Sequence, residues 1–546
     1  MNIKISLLVL FFSVCTTMQA QDYATNQQIT ARVKALKGSD GLEVQTQSLT
    51  QTVGNQDIWA ITIGKGEWQN KPAIAIVGGV DGRLLLSREL ALGFAEKLIQ
   101  NAKSDSISNL LDQHTFFVFP DMSPDASAQY HANLKYARHL NARATDLDRD
   151  GKTSEDSYDD LNKDGVITMM RVEDASGSWR VSELDERLMV KADLSKGEKG
   201  THRVFSEGLD NDRDALFNED TEGGVAFNMN LSYQHPTFSL GAGDFAVSEK
   251  ETRALLDFLY EQPNIYSLFI FGPDDNLLEP IKFNKGGLSQ RVITSLYEED
   301  AQMNTYFSDA YKKQTGLKDG LSQKSSGGDF LNWAYFHFGR YAYSTPGWFI
   351  PKVTLAKDTV ELKGKDINHQ HPELRYLRWA ENEGLQDIFV NWSTVDHPDF
   401  KGKNVEVGGL KPHQLENPPY AMVDSITQTH AEFILMMAEK APLIELINVT
   451  TEEVGKLTRV KVTVHNTGTF ATQSKLGDRV KWVKELVAEA EPAKNQSIIS
   501  GDKKQILERL EADGSIELEW LIQGKGDFRI KVGSSLNGFQ SINVKL

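Results

Sequence analysis

Three short stretches of the chain space their carboxylates at alternate positions. ATDLDRDG puts Asp146, Asp148 and Asp150 at i, i+2 and i+4, with Gly151 next. DDLNKDG repeats the device with Asp160, Asn162, Asp164 and Gly165, and GLDNDRD supplies Asp210, Asp212 and Asp214. Oxygen ligands at this spacing, followed by a glycine for the tight turn, are how a loop wraps a hard cation. The chemistry this predicts is structural calcium binding. Neither glycine-bearing loop completes the EF-hand pattern, because Ser157 and Arg171 stand at the twelfth positions where a bidentate Glu belongs. Ligation then has to be finished by neighbours such as Glu155, Asp156 or Asp159. The competing reading is a solvated acidic loop rich in Asx-turns.

Other chemistries find less support. His369 and His371 in DINHQHPEL are spaced to grip one transition metal, and His397 and His413 lie further along. Proline follows two of them, in HPEL and HPDF, which favours ordinary structural turns. No Gly-x-Ser-x-Gly elbow, P-loop or dinucleotide fingerprint occurs. The one cysteine, Cys15, lies in an N-terminal segment that reads as removable, so a thiol mechanism is excluded from the mature chain.

The elements that position these residues follow from size and pattern. A chain of 546 residues exceeds what one core usually organises, so two or three domains are expected. With 59 Lys+Arg against 76 Asp+Glu, the net charge of −17 argues against a nucleic-acid partner, whose phosphates would be repelled. MNIKIS, the apolar run LLVLFFSVC and small Ala20 make a signal peptide over residues 1–20, which predicts export to a periplasmic or extracellular space. A lipid anchor at Cys15 is the weaker reading, since bulky Val14 precedes it. No later stretch is apolar for long enough to span a bilayer, so no transmembrane segment is expected.

KPAIAIVGGV and HTFFVFPD read as buried strands, with RLLLSRELALGFAEKLIQ as a helix between them. This order predicts an α/β domain over 21–440, with an acidic insert at 145–222. From 441 to 546, segments such as LTRVKVTVHNTG and SIELEWLI alternate apolar and polar residues between turns, the pattern of an antiparallel β-sandwich.

The order of segments resembles the zinc carboxypeptidases, the carboxypeptidase A-like metallopeptidases, over roughly residues 55–440. The likeness rests on VGGVDGRLLLSREL, FPDMSPDASAQY, GGVAFNMNLSY, SGGDFLNWAYFHFGRYAYSTPGW and VNWSTVDHPDFKGKNVEVGG. It implies a mixed eight-stranded sheet and a zinc ion held at the ends of the central strands. It also implies a His and a Glu three residues apart after the glycine turn, a second His, a glutamate base and an arginine clamp for the substrate carboxylate.

At those positions this sequence carries other residues. Asp81 stands for the first His and Leu84 for the Glu, and IYSLFIFGPDDNLLEP has no His for the third ligand. Pro346 falls where the base belongs, and Met229 replaces the clamping Arg. Arg138, which matches the arginine that polarises the scissile carbonyl, and Asn228 are kept. Five functional positions changed together predict a pseudo-peptidase that has lost its zinc. Its vestigial cleft would bind a peptide, glycan or protein partner, with Arg138, Asn228 and the aromatic run from Trp333 to Trp348 as lining. The alternative is an active zinc metallocarboxypeptidase that removes C-terminal residues.

Overall fold

The apolar runs AIAIV and TFFVF form adjacent parallel strands, Ala73–Val77 and Thr115–Phe119, buried along their whole length. Uninterrupted burial is what helices covering both faces of a sheet impose. Each strand serves both faces by alternation. Ile74 and Ile76 join one core with Leu85, Leu92 and Phe433, while Ala73, Ala75 and Val77 join another with Leu255, Phe258 and Trp333. The computed structural model describes residues 22–39, 41–144, 158–211, 217, 223–318, 320, 327–353 and 371–546. The predicted signal segment and Asp146, Asp148, Asp150, Asp212, Asp214, Glu155, Asp156 and His369 lie outside the described residues.

The central sheet runs Leu42–Gln51, Asp57–Lys65, Thr115–Phe119, Ala73–Val77, Ile265–Phe271, Tyr341–Thr345. The Asp57–Lys65 strand is antiparallel to both neighbours, and the remaining contacts are parallel. The sheet is therefore mixed, as expected, but among the described residues it has six strands instead of eight.

Later strands go elsewhere. Phe389–Thr394 and Val405–Leu410 join Met169–Glu173, His202–Ser206, Trp179–Val181 and Met189–Lys191 in a second, antiparallel sheet. The stretch read as a loop insert thus contributes four strands, each of three to five residues. Elements that short carry almost no periodicity of their own, and one of their partners lies more than two hundred residues away.

Beyond the helix Val423–Glu439, two four-stranded antiparallel sheets close on a shared core that includes Val462, Trp520, Phe528 and Ile530. This sandwich is tied to the α/β part through Asp300. Its carboxylate accepts from the Lys475 N–H at 2.9 Å, the Leu476 N–H at 3.3 Å and the Tyr335 hydroxyl at 2.6 Å. No helix among the described residues is long and apolar enough to cross a membrane.

Candidate functional site

The turn after the Ala73–Val77 strand is shaped by Gly79, whose φ of +61° and close approach to Asp121 exclude a side chain. Asn417 then clamps the turn. It accepts from the Leu86 N–H at 3.0 Å and donates to the Arg83 carbonyl at 2.8 Å. Asp81 and Leu84 are buried within this turn, the second just before the helix Leu85–Gln100.

Asp81 has a partner already. The Arg83 guanidinium donates to its two carboxylate oxygens at 3.1 and 2.6 Å, and the Arg83 N–H adds a bond of 3.0 Å. Burial opposes the charge on Asp81, yet the Arg83 guanidinium and these bonds hold its carboxyl below the usual range. Planar, bidentate pairs of this kind are among the strongest side-chain contacts.

Asp81, Leu84 and Pro346 all line one cavity of about 340 Å³, together with Arg83, Trp348 and Glu416. Three of the positions singled out from sequence therefore converge. Arg138 and Met229 are not among its lining. The Arg138 guanidinium donates to the carbonyls of Leu140 at 2.9 Å and Asn141 at 2.6 Å, inside its own loop.

Asn228 is committed as well. In the turn Phe227–Met229 it accepts from the Phe330 N–H at 3.0 Å and donates to Asp274 at 2.7 Å. Asp274 follows the Ile265–Phe271 strand, in the loop where a third ligand was sought. Burial, then the charges of Asp329 and Asp81, push its carboxyl up to about 7. Sequence reasoning passed over this residue while looking for histidine. The dipeptide Asp274–Asp275 at the end of a buried strand was the available signal.

His413 is buried against the carbonyls of Tyr136 and Arg83, and burial lowers it to about 4. His397 meets the Gly208 carbonyl at 2.9 Å, and His371 begins the helix Pro372–Glu383. The rings of His413 and His397 are thus held by backbone carbonyls.

In the acidic stretch, Asp160 and its neighbours do form a wrapped loop. The Asp160 carboxylate accepts from the N–H groups of Asp164 at 3.1 Å and Gly165 at 2.7 Å, while Asn162 donates to Asp164 at 3.0 Å. Buried Glu207 holds the loop from beneath, accepting from the N–H groups of Leu161 and Thr168 at 2.9 Å each. Asn211, next to Asp210, donates to Asp159 at 2.8 Å, and Asp210 N–H reaches Asp399 at 3.4 Å. Among the described residues no three His, Cys, Asp or Glu side chains converge to hold a metal ion.

Comparison with known proteins agrees with this fold. The model of a family described as zinc carboxypeptidase matches residues 29–349, and one described as a domain of unknown function matches 443–545. Carboxypeptidase D of Anas platyrhynchos is 32% identical over 109 residues, which is 19% of this chain and 8% of that protein. The chain thus matches well under a tenth of that relative's length. Among solved structures, thrombin activatable fibrinolysis inhibitor aligns at a TM-score of 0.37 and 13% identity, over 60% of this chain and 69% of that one. Carboxypeptidase A of Helicoverpa armigera aligns at 0.36 and 13%, over 62% and 68%. With its family model covering more than half of its length, the chain belongs to the zinc carboxypeptidase family.

Proposed function

We propose that this family member is a catalytically inactive, exported binding protein whose former active-site cleft holds a peptide. The observation that carries the reading is the ion pair between Asp81 and Arg83. Catalytic zinc takes three protein ligands and an open position for water. Here the first-ligand position is a carboxylate that already accepts three hydrogen bonds from Arg83, and the second is the hydrocarbon Leu84. The donor set does not fit zinc, and Pro346 has no group to take a proton from water. Arg138 and Asn228 are spent on neighbouring protein groups.

The structural ion in this reading is calcium, held by the acidic stretch. It is supported by the wrapped loop from Asp160 to Gly165, in which Asp160 accepts from the N–H groups of Asp164 and Gly165, and by the same residue spacing at Asp146–Asp150. Two such loops without their ion would suffer mutual repulsion. Export rests on the pattern of residues 1–20.

The experiment is a metal analysis of the purified chain beside a carboxypeptidase assay. Calcium without zinc, and no release of C-terminal residues, is expected. Zinc near one per chain with chelator-sensitive cleavage would instead establish the active metallocarboxypeptidase.

A further inference from the structure

The cavity at Asp81 does not end there. Leu415 and Glu416 line it and also line a second cavity, of about 250 Å³, walled by Trp179, Phe389 and Trp392. This second pocket is built where the second sheet meets the 411–416 segment, with Trp179 inside the stretch matched by the family model and Phe389, Trp392 and Glu416 beyond it. Its aromatic wall is fixed in place. Trp392 donates its indole N–H to the Arg187 carbonyl at 2.8 Å, and the Arg171 guanidinium stacks 4.3 Å from its ring centroid.

The charges on the two linings are unevenly satisfied. Arg83 is closed on Asp81, Arg187 on Asp185 and Glu381, and Lys411 on Asp387. Every cation is therefore neutralised. The carboxylates Glu373 and Glu416 make no ion pair among the described residues. Burial, and then the charge of Asp81, raise the Glu416 carboxyl against the pull of Arg83. A half-buried carboxylate in that position gains from a cation brought by a ligand. A glycan offers no such charge, whereas a basic side chain does, and the aromatic pocket beside it fits an apolar neighbour.

We propose that Glu416 is the recognition residue for an internal lysine or arginine of a bound peptide, whose adjacent aromatic or large aliphatic residue enters the Trp179–Trp392 pocket. This rests on the reading of the cleft as a peptide-binding site. It needs no free C-terminal carboxylate.

The test is calorimetric titration of the full chain with the amidated peptide acetyl-Ala-Phe-Lys-Phe-Ala-amide, and with versions carrying norleucine or glutamate in place of lysine. The lysine peptide is expected to bind at least about tenfold more tightly than the norleucine one, and the glutamate one more weakly still. Glu416→Gln should remove that preference while leaving the norleucine affinity and the thermal unfolding temperature unchanged. Equal binding of all three peptides by the native chain overturns the role of Glu416 but keeps the peptide-binding reading. A lysine preference that survives Glu416→Gln does the same. Binding of none of them overturns both.

Discussion

Arg83 closes on Asp81 through both carboxylate oxygens, at 3.1 and 2.6 Å, in the turn that follows the Ala73–Val77 strand. The pair is largely buried on the Asp81 side and only partly exposed on the other, with side-chain exposures of 8% and 27%. The Asp81 carboxylate is thereby charge-balanced within its own turn.

Removing one partner tests how much the pair contributes. Arg83→Met should destabilise the chain by about 2 kcal/mol in urea unfolding, since the carboxylate is left buried and unpaired. Adding Asp81→Asn should recover part of that loss, because neither charge then remains. The pH dependence has a definite sign. Asp81 ionises more readily in the folded chain than in the unfolded one, so the pair stabilises above the ordinary value of 3.8 and is lost as pH falls below it.

Restoring the first ligand pair alone should fail. On the proposed inactive reading, Asp81→His with Leu84→Glu is expected to give no measurable carboxypeptidase activity, because that reading leaves the third ligand and the base unsupplied and Arg83 stays in the turn. Activity in that double variant, measured as release of C-terminal residues, would show that Pro346 has been misassigned.

Asp274 predicts the opposite pH trend. Its carboxyl is raised to about 7 in the folded chain, from an ordinary 3.8. It therefore contributes fully below that ordinary value, and its contribution is lost as pH rises toward 7. Relative to Asp274→Asn, the native chain should lose stability between pH 4 and pH 7, by on the order of 2 kcal/mol. Thermal unfolding of both proteins at pH 5 and pH 7.5 checks this, and parallel profiles would contradict it.

Calcium should act as a ligand of the folded state alone. At a free concentration of about a hundredfold its Kd, it should add about 2.7 kcal/mol of stability. Asp160→Ala should weaken this response and also cost about 1 kcal/mol without calcium, through the lost bonds to the N–H groups of Asp164 and Gly165. An unfolding temperature indifferent to calcium and to chelator would leave the loop as a set of Asx-turns.

Much of the fold was legible because its signals are local. AIAIV and TFFVF are buried strands by composition, and the Gly79 turn and the helix after it follow in order. The sandwich announces itself by alternation, as in Leu457–Asn466, where every second residue is buried. The second sheet was not legible. An interior pairing joins Met169–Glu173 to Val405–Leu410, and no local pattern encodes a partner that distant.

The site divides in the same way. Asp81, Leu84 and Pro346 were found one by one through the resemblance, and they do line a common cavity. What Asp81 does there depends on Arg83, two residues on, whose direction no sequence pattern fixes. Asp274 and Glu416 matter only because folding brings them near Asp81, one from the end of a strand and the other from a segment more than three hundred residues away.

The most direct measurement is the zinc content of the purified chain, determined by elemental analysis after dialysis against zinc and correlated with carboxypeptidase activity. The account predicts zinc far below one per chain and no cleavage. One tightly held zinc per chain, with cleavage that a chelator abolishes, would contradict it.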